Sequence, residues 1–230
     1  MATSPHHAEP VAIAILAKAP VPGLAKTRLI PALGAHGAAR LQRMLTLRTL
    51  ATAHQAATGP ITLWCAPDTR HSFFRALAQR GVVCQQQPEG DIGARMHAAS
   101  AWQANQPGSL PLLILGTDCP ALTAADLQAA AQRLRSGTPA VLQPAQDGGY
   151  VLMGLRAPEP GVFAGVHWST DQVMAQTRTR LQALGLSWWE APTLWDVDVP
   201  ADLHRLQALG PLLAPSTALI GKPAPIDSHY

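Results

Sequence analysis

The chain predicts an α/β fold in which one mostly parallel sheet carries helices on both faces. Three observations lead there. Short apolar runs bounded by Gly, Pro and polar residues recur along the chain, and the stretches between them have helical periodicity. The run Leu112–Leu115 is four consecutive aliphatics between Pro111 and Gly116, the pattern of a strand buried on both faces. No internal repeat is present, and no apolar run reaches the roughly 18 to 20 residues that span a bilayer.

Taken in order, residues 11–16 predict a buried strand that opens into the long Pro- and Gly-rich loop 17–28. Leu41, Met44 and Leu45, with Arg40, Arg43 and Arg48 interspersed, predict an amphipathic helix over 36–56. A strand over 61–65, a helix over 73–79 and a strand over 82–86 follow. The sequence Gly90-Asp91-Ile92-Gly93 leads into a helical stretch through Trp102, and Leu112–Leu115 is expected at the centre of the sheet. Thr123 is placed to cap a helix running to Arg135. Residues 140–143 and 150–155 read as strands separated by the turn Asp147-Gly148-Gly149. Ser169 with Gln172 forms a capping box for a helix reaching Leu184. Trp188 and Trp189 alternate along a strand, which predicts one in the core and the other partly exposed. A last helix opens at Pro200.

The 230 residues are enough to bury a sizeable core, and one domain over 11–209 is expected between a flexible start (1–10) and a Pro-rich, loosely ordered tail (210–230). Hydrophobic residues at 47% against 13% charged exclude a disordered chain. The start has no charged segment followed by an apolar stretch, so a cytoplasmic location and no membrane insertion are expected. Cys65, Cys84 and Cys119 are odd in number and lack a CxxC pair, which argues against a disulfide framework and a zinc site and for reduced, buried thiols. A net charge of +3 without a cluster of Lys/Arg and aromatics argues against a nucleic-acid partner.

In a parallel sheet, ligands sit outside the carboxyl ends of the strands, so the loops after Leu16, Leu115 and Gln143 are where chemistry is expected. The first holds Lys18, Gly23, Lys26 and Arg28. Three cations within eleven residues can wrap a polyphosphate: the backbone near Gly23 approaches closely, Lys26 supplies a point charge, and Arg28 can bind two oxygens. The loop is not a nucleotide-hydrolase P-loop, because Ala25 and Pro20 stand where that motif needs glycine. A solvated basic loop has the same residue types. Asp118, in Gly116-Thr117-Asp118-Cys119-Pro120, is placed to hold Mg2+, which takes one or two carboxylates and fills its other positions with phosphate oxygens and water; an Asp that only shapes a turn is the plainer reading.

Asp147 with Gly148 and Gly149 is either a hairpin turn or a place where substrate meets the backbone. The segment Trp195-Asp196-Val197-Asp198-Val199-Pro200 offers two acids; they are expected on opposite sides, so that one of them serves a given metal unless the segment turns. Arg95 is read as a solvated helical residue that can alternatively add a phosphate contact. His97 and His167 are read as structural, with an acceptor contact as the alternative for the His beside the WST loop.

Together the stretches AKAPVPGLAKTRL, GTDCPALTAADL, PAQDGGYVLMGL, VHWST and DVDVPADL, in this order, resemble a small bacterial family of glycosyltransferase-A-like proteins. This is the arsenosugar-biosynthesis-associated glycosyltransferase type, or domain of unknown function 2064. More distantly, the KTRL element and the acid after a central strand are similar to phospholactate guanylyltransferases and molybdenum-cofactor nucleotidyltransferases. The resemblance covers residues 11 to about 209. It implies a Rossmann-like sheet with one reversed strand and a transferase acting on a nucleotide or nucleotide-sugar donor and a small-molecule acceptor. It further implies Mg2+ (or Mn2+) between Asp118 and Asp198, donor phosphates held by Lys26 and Arg28, and Asp147 with Gly148 and Gly149 bordering the sugar or acceptor pocket. One departure is Pro120, which stands where glycosyltransferases of this fold commonly have the second acid of an Asp-x-Asp pair. Sugar transfer from a nucleoside-diphosphate sugar is the leading expectation, nucleotidyl transfer from an NTP the second, and a catalytically silent nucleotide-binding protein the third.

Overall fold

In the computed structural model, which describes residues 9–210, the first apolar run becomes β1 (Ala12–Lys18), with six of its seven residues buried. Val11, Ile13, Ile15 and Ala17 pack into one core, whereas Ala12, Ala14 and Leu16 pack into another on the opposite face. Burial on both faces is the reason such a strand is written as a continuous apolar run and not as an alternation.

The sheet is completed by β2 (Ile61–Ala66), β3 (Val83–Gln86), β4 (Leu112–Leu115), β5 (Ala140–Pro144), β6 (Tyr150–Leu155) and β7 (Trp188–Glu190), in the order β3-β2-β1-β4-β6-β5-β7. All neighbouring strands are parallel except that β6 runs against both β4 and β5. The all-aliphatic β4 is the middle strand. Each fully buried aliphatic contributes about 1.5–3 kcal/mol relative to exposure, so its four buried residues hold it there.

The helices are α1 (Ile30–Ala56), α2 (Ser72–Ala78), α3 (Ile92–Ala104), α4 (Ala124–Arg135), α5 (Val173–Ala183) and α6 (Asp202–Ala208). Leu50 of α1, Phe74 of α2 and Leu127 of α4 cover one face of the sheet, while Met96 of α3 and Met174 and Leu181 of α5 cover the other. A third cluster joins Leu29, Leu41 and Leu45 to Val197 and Leu206 of α6, and so anchors the segment after β7 beside the start of α1.

Several local expectations change. The chain enters α1 at Ile30, with Pro31 in the first turn, but Gly34 at φ 67° breaks the helix. The regular helix therefore starts close to the expected position 36. Thr123 caps α4 as expected and forms a reciprocal capping box with Asp126. The Ser169 capping box does not form: Ser169 is left-handed (φ 63°), α5 opens at Val173, and Thr170 Oγ1 accepts from Gln172 N–H instead. Pro200 lies in the turn before α6, where Asp202 accepts hydrogen bonds from Asp198 and Val199 N–H.

Both tryptophans of β7 are half-buried, one on each face, because β7 is an edge strand whose two faces are each only partly covered; Arg133 stacks over Trp189 at 5.1 Å. The three cysteines are free, with Cys65 and Cys119 buried and Cys84 half-buried. Among the described residues no helix is long and apolar enough to cross a membrane. The expectations for residues 1–8 and 211–230 lie outside the described residues.

Candidate active site

Because only β6 is reversed, the carboxyl ends of six strands and the start of β6 share one edge of the sheet. There the loops after β1 and β4, the β5–β6 turn, and the segments 168–171 and 195–198 enclose a cleft of about 680 Å3, a size suited to a small-molecule ligand. Lys18, Lys26, Arg28, Asp118, Asp147, Gly149 and Asp198 all line it, although they are spread over most of the chain. Gly23 and Gly148 do not. In the first loop the exposed Leu24 takes the place in the wall expected of Gly23, whose φ of 82° serves the turn.

Gly148 has a different task. At φ 89° its Cβ position would lie 2.2 Å from the Asp171 carbonyl oxygen, and its own carbonyl accepts from Met174 N–H at 2.8 Å. The glycine thus lets the 168–174 segment close on the β5–β6 turn. Asp147 shapes that turn by accepting from Gly149 N–H (2.8 Å) and still faces the cleft.

The charged centre is built around Lys26. Its side chain is only 3% exposed, and its ammonium lies 2.8 Å from Asp118 Oδ1 while donating to the Val197 carbonyl at 2.6 Å. Val197 N–H in turn donates to the Asp118 carbonyl (2.9 Å). Lys26 is therefore not the free phosphate cation that its loop predicts; it ties three loops together beneath the carboxylates. Gln42 donates to Thr117 Oγ1, which donates to the same Asp118 Oδ1 that Lys26 holds (3.1 and 3.3 Å). Arg28, mostly exposed, pairs with Asp198.

The expectation that Asp196 and Asp198 face opposite ways is overturned. Residues two apart in an extended segment share a side, so both acids line the cleft while Val197 between them turns into the core. Burial first, then the charges of Asp147, Asp118 and Asp198, push the Asp196 carboxyl up to about 6. Asp196 thus meets the negative charge of three further aspartates that line the same cleft. Among the described residues no three His, Cys, Asp or Glu side chains are gathered into a ready metal cage. The donor set nonetheless fits a hard divalent cation such as Mg2+ or Mn2+, which asks for oxygen ligands and needs only one or two carboxylates when phosphate and water complete its shell.

At the other end of the cleft stand residues that the sequence reading set aside or missed. Arg95 is half-buried in the wall, not solvated, and donates to Gln87 Oε1 at 3.3 Å. Gln87, nearly fully buried, donates through Nε2 to Ala17 and Trp64 carbonyls at the ends of β1 and β2. Trp168 lies across Gly93, whose Cβ position would fall 2.2 Å from the indole nitrogen, and meets Tyr150 edge to face. The position of Gln87 directly after a strand was the available signal, since it obeys the same strand-end rule as Asp118. His97 and His167 line none of this cleft.

The sequence profile of a family described as uncharacterized protein conserved in bacteria (DUF2064) matches residues 49–170, more than half of the chain. The chain belongs to the DUF2064 family. No curated protein sequence matches it. Among solved structures, this DUF2064 protein is similar to one from Desulfovibrio desulfuricans G20 assigned provisionally as a nucleotide-diphospho-sugar transferase. The two are 27% identical with a TM-score of 0.79, covering 92% of this chain and 97% of the other. CMP:2-keto-3-deoxy-manno-octonic acid synthetase complexed with CTP is 14% identical with a TM-score of 0.57, over 87% and 98% of the two chains. Rv0371c from Mycobacterium tuberculosis H37Rv in complex with manganese is 17% identical with a TM-score of 0.55, over 85% and 97%. The DUF2064 chain therefore has the Rossmann-like fold of nucleotide-diphospho-sugar transferases and nucleotidyltransferases.

Proposed function

We propose that this DUF2064 protein is a divalent-metal-dependent transferase that takes a nucleotide-activated donor, foremost a nucleoside-diphosphate sugar. The observation that carries this reading is the meeting of Asp118, Asp147, Asp196 and Asp198 with Lys18 and Arg28 in one cleft at the carboxyl edge of the sheet. It is supported by the fold shared with a protein assigned to sugar-nucleotide transfer and by a fold relative that holds manganese.

Asp118 and Asp198, with Asp196 beside them, would hold Mg2+ or Mn2+. When bound, the ion offsets the negative charge that grows on the departing phosphate. Lys18 and Arg28 meet the donor's phosphate oxygens; Arg28 can turn from Asp198 to phosphate because most of its side chain is exposed. Lys26 acts from below, holding Asp118 in place through a short ion pair. Asp147, which lines the cleft with Gly149, would border the acceptor and take a proton from its attacking group.

Nucleotidyl transfer from an NTP is the second reading. It is favoured by Pro120, which removes the Asp-x-Asp pair, and by the supply of the remaining acids from far along the chain. A thermal-shift panel of NTPs and nucleoside-diphosphate sugars, with and without Mg2+, separates the two, because a ligand that binds only the folded state raises its apparent stability. Shifts confined to sugar nucleotides establish the first reading, shifts confined to NTPs the second, and no Mg2+-dependent shift from either class contradicts both.

A further inference from the structure

We propose that Arg95 binds an anionic group, a carboxylate or a phosphate, on the acceptor, so that the second substrate is an organic acid or phosphate ester and not a neutral alcohol or sugar. The inference rests on the reading that the aspartate end of the cleft takes the donor. Arg95 comes from α3, on the opposite face of the sheet from α1, which follows the Lys26–Arg28 loop. Its guanidinium is permanently charged and half-buried, yet no carboxylate among the described residues pairs with it. Its Nε is fully buried and has no hydrogen-bond partner among them.

Among the described residues the guanidinium makes one hydrogen bond, to the neutral Gln87 Oε1, and Gln87 is itself pinned to the ends of β1 and β2. Arg95 is thus aimed by a fixed residue and left uncompensated. A buried donor without a partner destabilises the fold, and a desolvated cation does so more strongly. An arrangement of this kind fits a site whose missing partner arrives with the ligand, and a guanidinium fork matches two oxygens of a carboxylate or phosphate. Trp168, pressed on Gly93 two residues before Arg95, lines the same cleft with an aromatic surface. Arg28, paired with Asp198 beside the start of α1, meets the donor's phosphates from the opposite face, which leaves Arg95 on the α3 face for the acceptor.

The test is calorimetric titration of inorganic phosphate and of succinate into wild type, Arg95→Gln and Arg95→Lys. Each protein is measured free and after saturation with the nucleotide that gives the largest thermal shift in Mg2+. The expected result is that one or both anions bind nucleotide-saturated wild type, that Arg95→Gln weakens this binding by about tenfold or more, and that Arg95→Lys falls between them. Nucleotide affinity should stay within about twofold, and the Tm of Arg95→Gln should be no lower than that of wild type, because a buried unpaired donor has been removed. Unchanged anion affinity in Arg95→Gln, or absence of anion binding to wild type at millimolar concentration, overturns the proposal. So does a loss confined to nucleotide, which would assign Arg95 to the donor. Arg95-dependent anion binding in a protein that binds no nucleotide would leave the subsite standing and overturn the donor reading alone.

Discussion

A lysine side chain that is 3% exposed and shared between a carboxylate and a carbonyl is part of the scaffold on which the aspartates stand. Lys26→Met should therefore lower stability by about 1–3 kcal/mol, less than for a fully buried pair because Asp118 is 48% exposed and can hydrate. Urea denaturation measures this, and an unchanged midpoint would show that the pair adds nothing. Asp196 gives the opposite sign. Its carboxyl titrates at about 6 in the folded protein against an ordinary 3.8, so the folded state binds the proton more tightly. Stability then falls as pH rises through this window, and the cost is fully present above about pH 6. In chelator, Asp196→Asn should melt about 2–4 °C above wild type at pH 8, the worth of roughly 1 kcal/mol at a half-exposed site, with the gain shrinking toward pH 4. A gain that grows on acidification would contradict the crowding of the four acids.

The β5–β6 turn and the 168–174 segment fit together only because residue 148 has no side chain. Gly148→Ala places a Cβ 2.2 Å from the Asp171 carbonyl at a backbone φ of 89°, so it should cost about 1–3 kcal/mol and loosen Trp168 and Asp171 from the cleft wall. Urea denaturation together with limited proteolysis at 168–174 checks both effects. Strands were legible in the sequence for a simple reason: β1 and β4 are apolar throughout because both faces are covered, whatever the rest of the chain does. The loops holding Lys26, Asp118 and Asp147 followed from the strand-end rule. Arg95 was not legible, since an Arg in the first turns of a helix has the same sequence pattern whether it meets water or a cleft. Only the packing of α3 against β4 decides that. Ser169 carried a valid capping signal that lost to the docking of its segment on Gly148.

At the scale of the whole molecule, the topology accounts for the site. One reversed strand brings the start of β6 to the edge where six other strands end, and so sets Asp147 opposite Asp118. The buried Val197 then pins Asp196 and Asp198 over the same cleft. Carboxylates from distant parts of the chain are expected to act on one ion, so Asp118→Asn and Asp198→Asn should each weaken Mg2+-dependent nucleotide binding, and the double variant should lose much less than the sum. The most direct test is calorimetric titration of the best-shifting nucleotide into wild type and Asp118→Asn, with Mg2+ and with chelator. Asp118→Asn keeps the shape of the side chain and its contact with Thr117 but removes the negative charge. The account predicts that wild type binds more tightly with Mg2+ than in chelator and that the variant loses this Mg2+-dependent gain while remaining folded. Equal nucleotide affinity in the two proteins with Mg2+ present would contradict it.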